Sequence, residues 1–167
     1  DLRKKNYFLL TLHRPESVDN IKNLTKLLFI FQKISNKLNK KFIFPVHPRT
    51  QKILNKIKNK KFSNIKFLSP LNYLDFMKLL LDANIVYTDS GGIQEEASII
   101  GVPCITLRTT TERQITVKKK VNILCGYEYK KIFDASKKFN EKKINKNKFF
   151  GNGNVSELIY KKLKVNC

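Results

Sequence analysis

Asn84-Ile85-Val86-Tyr87-Thr88-Asp89-Ser90-Gly91-Gly92-Ile93-Gln94-Glu95-Glu96 is the stretch on which the fold turns. Its first half is a short apolar, β-branched run and reads as a buried strand. Asp89-Ser90 then supplies a helix N-cap candidate, Gly91-Gly92 removes side chains at the turn, and Gln94, Glu95 and Glu96 favour a helix behind it. A strand that enters a helix through Ser-Gly-Gly leaves backbone N–H groups facing open space. With the helix dipole they form a seat for a phosphate or another anion. Carboxylates beside that anion need a cationic or hydroxyl partner, and a ribose diol is one. A plain strand-turn-helix without a ligand fits the same residues, because short glycine motifs occur in many settings.

Working outward, strand-like and helix-like segments alternate. Upstream, Asn6–Thr11 is a continuous apolar run that reads as a strand buried on both faces, and it ends in Leu12-His13-Arg14-Pro15-Glu16-Ser17. Asp19 is placed to cap a long helix whose apolar positions Ile21, Leu24, Leu28, Phe31, Ile34 and Leu38 fall three or four apart. Phe42–Val46 reads as a strand leading to His47-Pro48-Arg49-Thr50, Asn64–Leu68 as another, and Tyr73–Ala83 as the helix before the deciding stretch. Downstream, Gly101 suits a helix C-terminus, Val102–Leu107 reads as a strand and Arg108–Arg113 as a polar loop. Val121–Leu124 reads as a weaker strand closed by Gly126, followed by helical stretches over Ile132–Lys143 and, after the Gly151-Asn152-Gly153-Asn154 turn, Val155–Leu163.

The alternation predicts an α/β protein: a Rossmann-like, open, mostly parallel sheet with helices on both faces, in a single domain over residues 1–167. Ligands of such sheets bind at the carboxyl ends of the strands. The loops after the first, second, fourth and fifth strands should therefore share an edge, gathering His13, Arg14, His47, Ser90, Gly91 and the Arg108–Arg113 loop around one cleft.

Composition narrows the classes of partner. The net charge is +21, from 34 Lys and Arg against 13 Asp and Glu, yet it is lysine scattered through nearly every segment. Non-specific attraction to polyanions follows at low salt, but no nucleic-acid reading module is present, so no specific nucleic-acid partner is expected. Three cysteines, Cys104, Cys125 and Cys167, without paired metal spacing suit a reduced, cytoplasmic setting. No apolar run approaches the roughly 20 residues of a membrane span. The chain opens on Asp1-Leu2 without an initiator Met, as expected of a piece of a longer chain or of a trimmed product.

At the shared edge, His13-Arg14 offers a titratable imidazole beside a fixed cation, although a turn histidine satisfied by backbone is the plainer alternative. His47 reads as structural, since Pro48 is explained by a helix starting there. Thr109-Thr110-Thr111-Glu112-Arg113 could hold phosphate through hydroxyls and guanidinium, or could be a solvent loop. No lysine follows the glycines in the Walker manner, and there is no Gly-x-Gly-x-x-Gly and no Gly-x-Ser-x-Gly. No metal and no cofactor are expected.

Thr11-Leu12-His13-Arg14-Pro15-Glu16, His47-Pro48-Arg49-Thr50, Thr88 to Ala97 and Thr111-Glu112-Arg113, in that order and spacing, resemble the non-hydrolysing UDP-N-acetylglucosamine 2-epimerases. The likeness runs over nearly the whole chain and is to the C-terminal, nucleotide-binding half of a two-domain GT-B enzyme. It implies reversible conversion of UDP-GlcNAc to UDP-ManNAc by elimination of UDP and its re-addition to a 2-acetamidoglucal. It further implies that Ser90, Gly91 and Gly92 hold the diphosphate, Glu96 the ribose hydroxyls, and Phe76 the uracil, with His13 at the leaving diphosphate and Arg14 and Arg113 adding positive charge. The acid–base carboxylates of the family lie mainly on the N-terminal domain, which would have to be supplied in cis or in trans, and the full-length enzyme would be a homodimer. A hydrolysing relative, another GT-B sugar-nucleotide enzyme, or a stand-alone UDP-sugar-binding module would use the same residues. Ser17, Gln114-Ile115 and Phe149-Phe150-Gly151-Asn152-Gly153 depart from the family pattern.

Overall fold

A computed structural model of the chain describes residues 3–57, 62–141, 144–146, 149–151 and 153–165. Six strands form one sheet: β1 (Tyr7–Thr11), β2 (Lys41–Pro45), β3 (Ile65–Leu68), β4 (Ile85–Thr88), β5 (Cys104–Thr106) and β6 (Asn122–Leu124). Their order is β3-β2-β1-β4-β5-β6, and every pairing is parallel. The helices between them are α1 (Pro15–Val18), α2 (Ile21–Leu38), α3 (Pro48–Leu54), α4 (Tyr73–Asp82), α5 (Gly91–Ile100), α6 (Gln114–Lys118), α7 (Tyr129–Asn140) and α8 (Val155–Val165). The order reverses at β1 and β4, the central pair, so their carboxyl ends diverge into loops on opposite sides of a crevice.

Strand alternation explains why helices cover both faces. Along β1, Phe8 and Leu10 point to one side, where Phe31 and Leu28 of α2 and Ile132 and Phe139 of α7 close over them. Tyr7 and Leu9 point to the other, against Leu80 of α4 and Ala97 of α5. All five β1 residues are buried, as a central parallel strand requires. The first face is strongly aromatic, with ring centroids 5.1 Å apart for Phe8 and Phe42, 5.0 Å for Phe31 and Phe42, and 5.5 Å for Phe8 and Tyr87. The Tyr87 hydroxyl, fully enclosed there, donates to Ser136 Oγ at 2.7 Å, and Ser136 donates onward to the Ile132 carbonyl at 2.6 Å. Burial raises the Tyr87 phenol well above its ordinary value, so it stays neutral.

The structure corrects several local expectations. Asn20, not Asp19, caps α2: its side chain accepts from the Lys22 and Asn23 N–H groups at 2.8 and 3.3 Å. Asp19 is already engaged as the helical C-terminal residue of the short α1, whereas Asn20 has the extended backbone a cap needs. The Asp19 carboxylate instead takes both arms of the Arg49 guanidinium, at 2.8 and 2.6 Å. Helix α6, which sequence periodicity did not suggest, lies against α5 and β6. The charged helix runs over Tyr129–Asn140, earlier than Ile132–Lys143, and Lys143 lies outside the described residues. Gly101 ends α5 in the left-handed region at φ 80°, as its position suggested. Gly151 and Gly153 turn with φ 100° and 90° before α8, and Asn152 between them lies outside the described residues. Among the described residues no helix is long and apolar enough to cross a membrane.

Candidate functional site

The site is assembled by strand register. Thr11 pairs with Thr88 and Thr88 with Thr106, which aligns the carboxyl ends of β1, β4 and β5. The hydroxyls of Thr11 and Thr88 are 2.7 Å apart, and Thr88 Oγ1 accepts the Ser90 N–H at 3.0 Å. Asp89 therefore leaves β4 fully buried and turned toward the loop after β1. Its carboxylate accepts the backbone N–H groups of His13 and Arg14, each at 3.0 Å, and lies 3.1 Å from His13 Nδ1. Burial pushes the Asp89 carboxyl up, but hydrogen bonds from His13, the Arg14 N–H and Ser17, with the charge of His13, hold it net below its ordinary value. Ionised Asp89 thus fixes the His13 ring by one nitrogen and leaves the other for chemistry, while the imidazole remains 38% exposed.

A second buried network anchors the loop after β5. Gln94 Oε1 accepts from Thr111 Oγ1 at 2.6 Å and from Asn122 Nδ2 at 3.1 Å, and Gln94 Nε2 donates to the Ser90 carbonyl at 3.2 Å. Asn122 Nδ2 also donates to Thr116 Oγ1 at 3.0 Å, and Asn122 Oδ1 accepts from Thr106 Oγ1 at 2.8 Å. These groups carry no solvent contact worth the name, so each bond replaces one that water would otherwise make. Together they tie the 108–113 loop and α6 to α5.

Between the β1, β2 and β4 ends lies a cleft of about 260 Å³, walled by Leu12, Val46, Leu71, Phe76 and Ile93, with His13, His47 and Ser90 at its polar side. An apolar slot with a few polar groups suits a flat ring held by its edges. His47 behaves as expected of a structural residue: its Nδ1 caps α3 by accepting the Arg49 N–H at 3.2 Å. Its ring also packs 5.5 Å from that of His13.

The structure brings some of the expected site residues to this cleft and sets the others around it. His13, Phe76 and Ser90 line the cleft. Ser90 occupies the N-cap position of α5 but makes no side-chain cap bond, so its side chain leaves the first-turn N–H groups of α5 uncapped. Gly91 is buried beneath Glu112, whereas Gly92 is exposed. Arg14 lies 3.6 Å from Glu112, and Arg113 pairs with Glu95 at 2.5 Å, so its charge faces the α5 helix. Glu96, half-buried and further along α5, has an enclosed Oε2 with no hydrogen-bond partner. Burial raises its carboxyl above the ordinary value, against a hydrogen bond from Tyr73, with the Glu95 charge adding to the rise. Sequence reasoning missed the role of Asp89, the Gln94–Asn122 network, and the meeting of Arg108 with Glu112. The signal available was the polar Asn122 inside an apolar strand run.

An open, all-parallel six-stranded sheet with helices on both faces, and a helix N-terminus and a clamped histidine at the carboxyl ends of its strands, defines a Rossmann-like α/β domain. The particular family follows from comparison with known proteins. Residues 1–164 match the UDP-N-acetylglucosamine 2-epimerase family, and the chain belongs to it. A UDP-N-acetylglucosamine 2-epimerase of Methanococcus maripaludis is 44% identical over 161 residues, covering 94% of this chain and 44% of the relative. The crystal structure of Methanocaldococcus jannaschii UDP-GlcNAc 2-epimerase in complex with UDP-GlcNAc and UDP superposes with a TM-score of 0.85 at 44% identity, over 95% of this chain and 45% of that one. The Neisseria meningitidis enzyme bound to UDP-GlcNAc gives 0.80 at 30% identity, over 95% and 44%. The chain thus spans a little under half the length of these relatives.

Proposed function

We propose that this chain is the UDP-binding half of a non-hydrolysing UDP-GlcNAc 2-epimerase, a single domain over residues 1–167 that works with an N-terminal catalytic domain in cis or in trans, as a homodimer when full length, in the cytoplasm. The observation that carries the reading is the Asp89-clamped His13 beside the uncapped first turn of α5, at the mouth of the apolar slot. In this reading Phe76 faces the uracil, Glu96 accepts from the ribose hydroxyls, and Ser90 Oγ with the Gly91 and Gly92 N–H groups receives the diphosphate. Arg14 and Arg113 add positive charge. A ribose diol would give the enclosed Glu96 Oε2 the donor it lacks.

The chemistry proposed is elimination. As the bond between sugar C1 and the diphosphate oxygen breaks, negative charge builds on UDP, and fixed donors at that point lower the barrier without any reorganisation of their own. One such donor is typically worth about 3 kcal/mol of transition-state stabilisation. His13, held by Asp89, stands where it can donate to the departing oxygen. The C2 proton is removed by a general base from the N-terminal domain, reprotonation occurs on the opposite face of the glycal, and UDP adds back. Because every residue this reading assigns to UDP lies on this half, the domain should bind the leaving group on its own.

Calorimetric titration of the chain with UDP and, separately, ADP tests the reading. Saturable 1:1 binding of UDP, with ADP weaker by about tenfold or more, is expected of a base-reading slot. Equal binding of the two would reduce the interaction to attraction between a basic protein and any diphosphate.

A further inference from the structure

The carboxylate of Glu112 lies directly on the first residue of α5. A Cβ added to Gly91 would overlap Glu112 Oε1 and come 3.4 Å from its Cδ. Both carboxylate oxygens are taken, and by cations from different loops: Oε1 lies 3.6 Å from Arg14 Nη2, and Oε2 accepts from Arg108 Nη1 at 2.9 Å. The Arg108 and Arg14 side chains are 17% and 33% exposed, the Glu112 side chain 43%. The guanidiniums are therefore the seated partners and the carboxylate the outermost one. The Glu112 backbone is not free to follow its side chain, because Thr111 before it bonds to buried Gln94 at 2.6 Å and accepts the Arg113 N–H at 3.0 Å. A bond from its own backbone N–H, then the Arg108 hydrogen bond, hold the Glu112 carboxyl below its ordinary value, so it is charged at neutral pH.

A carboxylate thus lies against Gly91, the first residue of α5, between two arginines. We propose that Glu112 is a built-in stand-in for a phosphate of the ligand: it keeps Arg14 and Arg108 in place while the seat is empty, rotates out when a diphosphate enters, and so makes Arg108 a phosphate ligand alongside Arg14. The inference rests on the diphosphate reading given above. It adds a selection rule. Displacing a carboxylate held by two guanidiniums takes more than a single negative charge, so the seat admits polyvalent anions and turns away monovalent ones. The rotation requires no change in the loop backbone, only in the Glu112 side-chain torsions.

The test is calorimetric titration of inorganic pyrophosphate, UDP and uridine into the full 167-residue chain, its E112Q and E112A variants, and R108Q. Removing the competing charge should tighten pyrophosphate and UDP by roughly three- to tenfold in both Glu112 variants and leave uridine unchanged. R108Q should weaken pyrophosphate and UDP by about tenfold. Unchanged or weaker pyrophosphate binding in E112Q and E112A, or no loss in R108Q, overturns the proposal. Failure of the nucleotide reading would look different: UDP would bind no tighter than pyrophosphate, whatever residue 112 is, while the pyrophosphate series would still judge the role of Glu112.

Discussion

Replacing Asp89 by Asn tests the joint between β1 and β4 on which the site depends. The side chain is fully buried, accepts two backbone N–H groups at 3.0 Å and faces the His13 imidazole at 3.1 Å. Asparagine is isosteric but keeps only one acceptor oxygen, and its NH2 must then face another N–H donor. Hydrogen bonds to a charged group contribute about 1.5–3 kcal/mol each, and leaving a buried donor unmet costs more on top. Both backbone N–H groups bond to the same oxygen, Oδ2, which the amide oxygen can replace, so the loss is that of the charge behind both bonds and of the Oδ1 contact with His13 Nδ1, and should destabilise the domain by about 3 kcal/mol. With a urea m-value near 2 kcal/mol/M, the midpoint should fall by about 1.5 M without a change in slope. Acid supplies the second half of the assay. The Asp89 carboxyl titrates below its ordinary value of 3.8 in the folded protein, so its contribution is present in full above that value and is lost as the pH falls through the folded one. The stability gap between the two proteins should hold steady from about pH 5 upward and close in more acid solution. A loss below about 0.5 kcal/mol, or a gap that ignores acid, would refute the reasoning.

Other outcomes follow from the same geometry. Gln94→Leu strands the Thr111 hydroxyl and one Nδ2 donor contact of Asn122 in the interior, and should cost about 2–4 kcal/mol by urea titration; a loss under about 1 kcal/mol would mean that the network is not holding the loop. Gly101→Ala must keep φ 80° and brings its Cβ within 2.9 Å of the Lys146 nitrogen and 3.0 Å of the Ile144 carbonyl, so the melting temperature should drop by about 4–8 °C. Burial pushes the Cys104 and Cys125 thiols up to about 12, so iodoacetamide at pH about 8 should label neither until the chain is unfolded. Rapid labelling of either in the native protein, located by peptide mass, would contradict the burial.

The alternation of β-branched runs with three-and-four-spaced apolar positions was enough to read the sheet, both helical layers and the shared loop edge, because those signals are local. What stayed hidden depended on strand order. Asp89 and Ser90 together read as a cap, yet the Thr11–Thr88 register sets Asp89 beside residues 75 and 76 positions earlier, and only Ser90 remains at the helix start. Gln94 read only as a residue favouring the helix. In the fold it is completely buried, since α5 is pinned between the sheet and α6. The α6 segment Gln-Ile-Thr-Val-Lys is too short and too β-branched to announce a helix, and it forms through the Thr116 and Lys119 backbone contacts at its ends. The choice between Asp19 and Asn20 as cap turned on a single backbone torsion that no sequence pattern specifies. Among the site residues, Arg113 was expected to face the ligand, and its pairing with Glu95 makes it a charge shared with α5.

Contact between a bound nucleotide and Glu96 is central to the proposed function. Its Oε2 is enclosed without a hydrogen bond in the protein, and burial holds its carboxyl above the ordinary value against a hydrogen bond from Tyr73, so a ribose hydroxyl is the donor proposed for it. Calorimetric titration of UDP into the chain and into Glu96→Ala, at physiological ionic strength, addresses this directly. Saturable binding of UDP to the native chain is expected, with a loss of about tenfold or more in the variant, the worth of one to two hydrogen bonds to a charged acceptor. Equal affinity in the two proteins would contradict it and would leave the basic surface, not the α5 edge, as what holds the ligand.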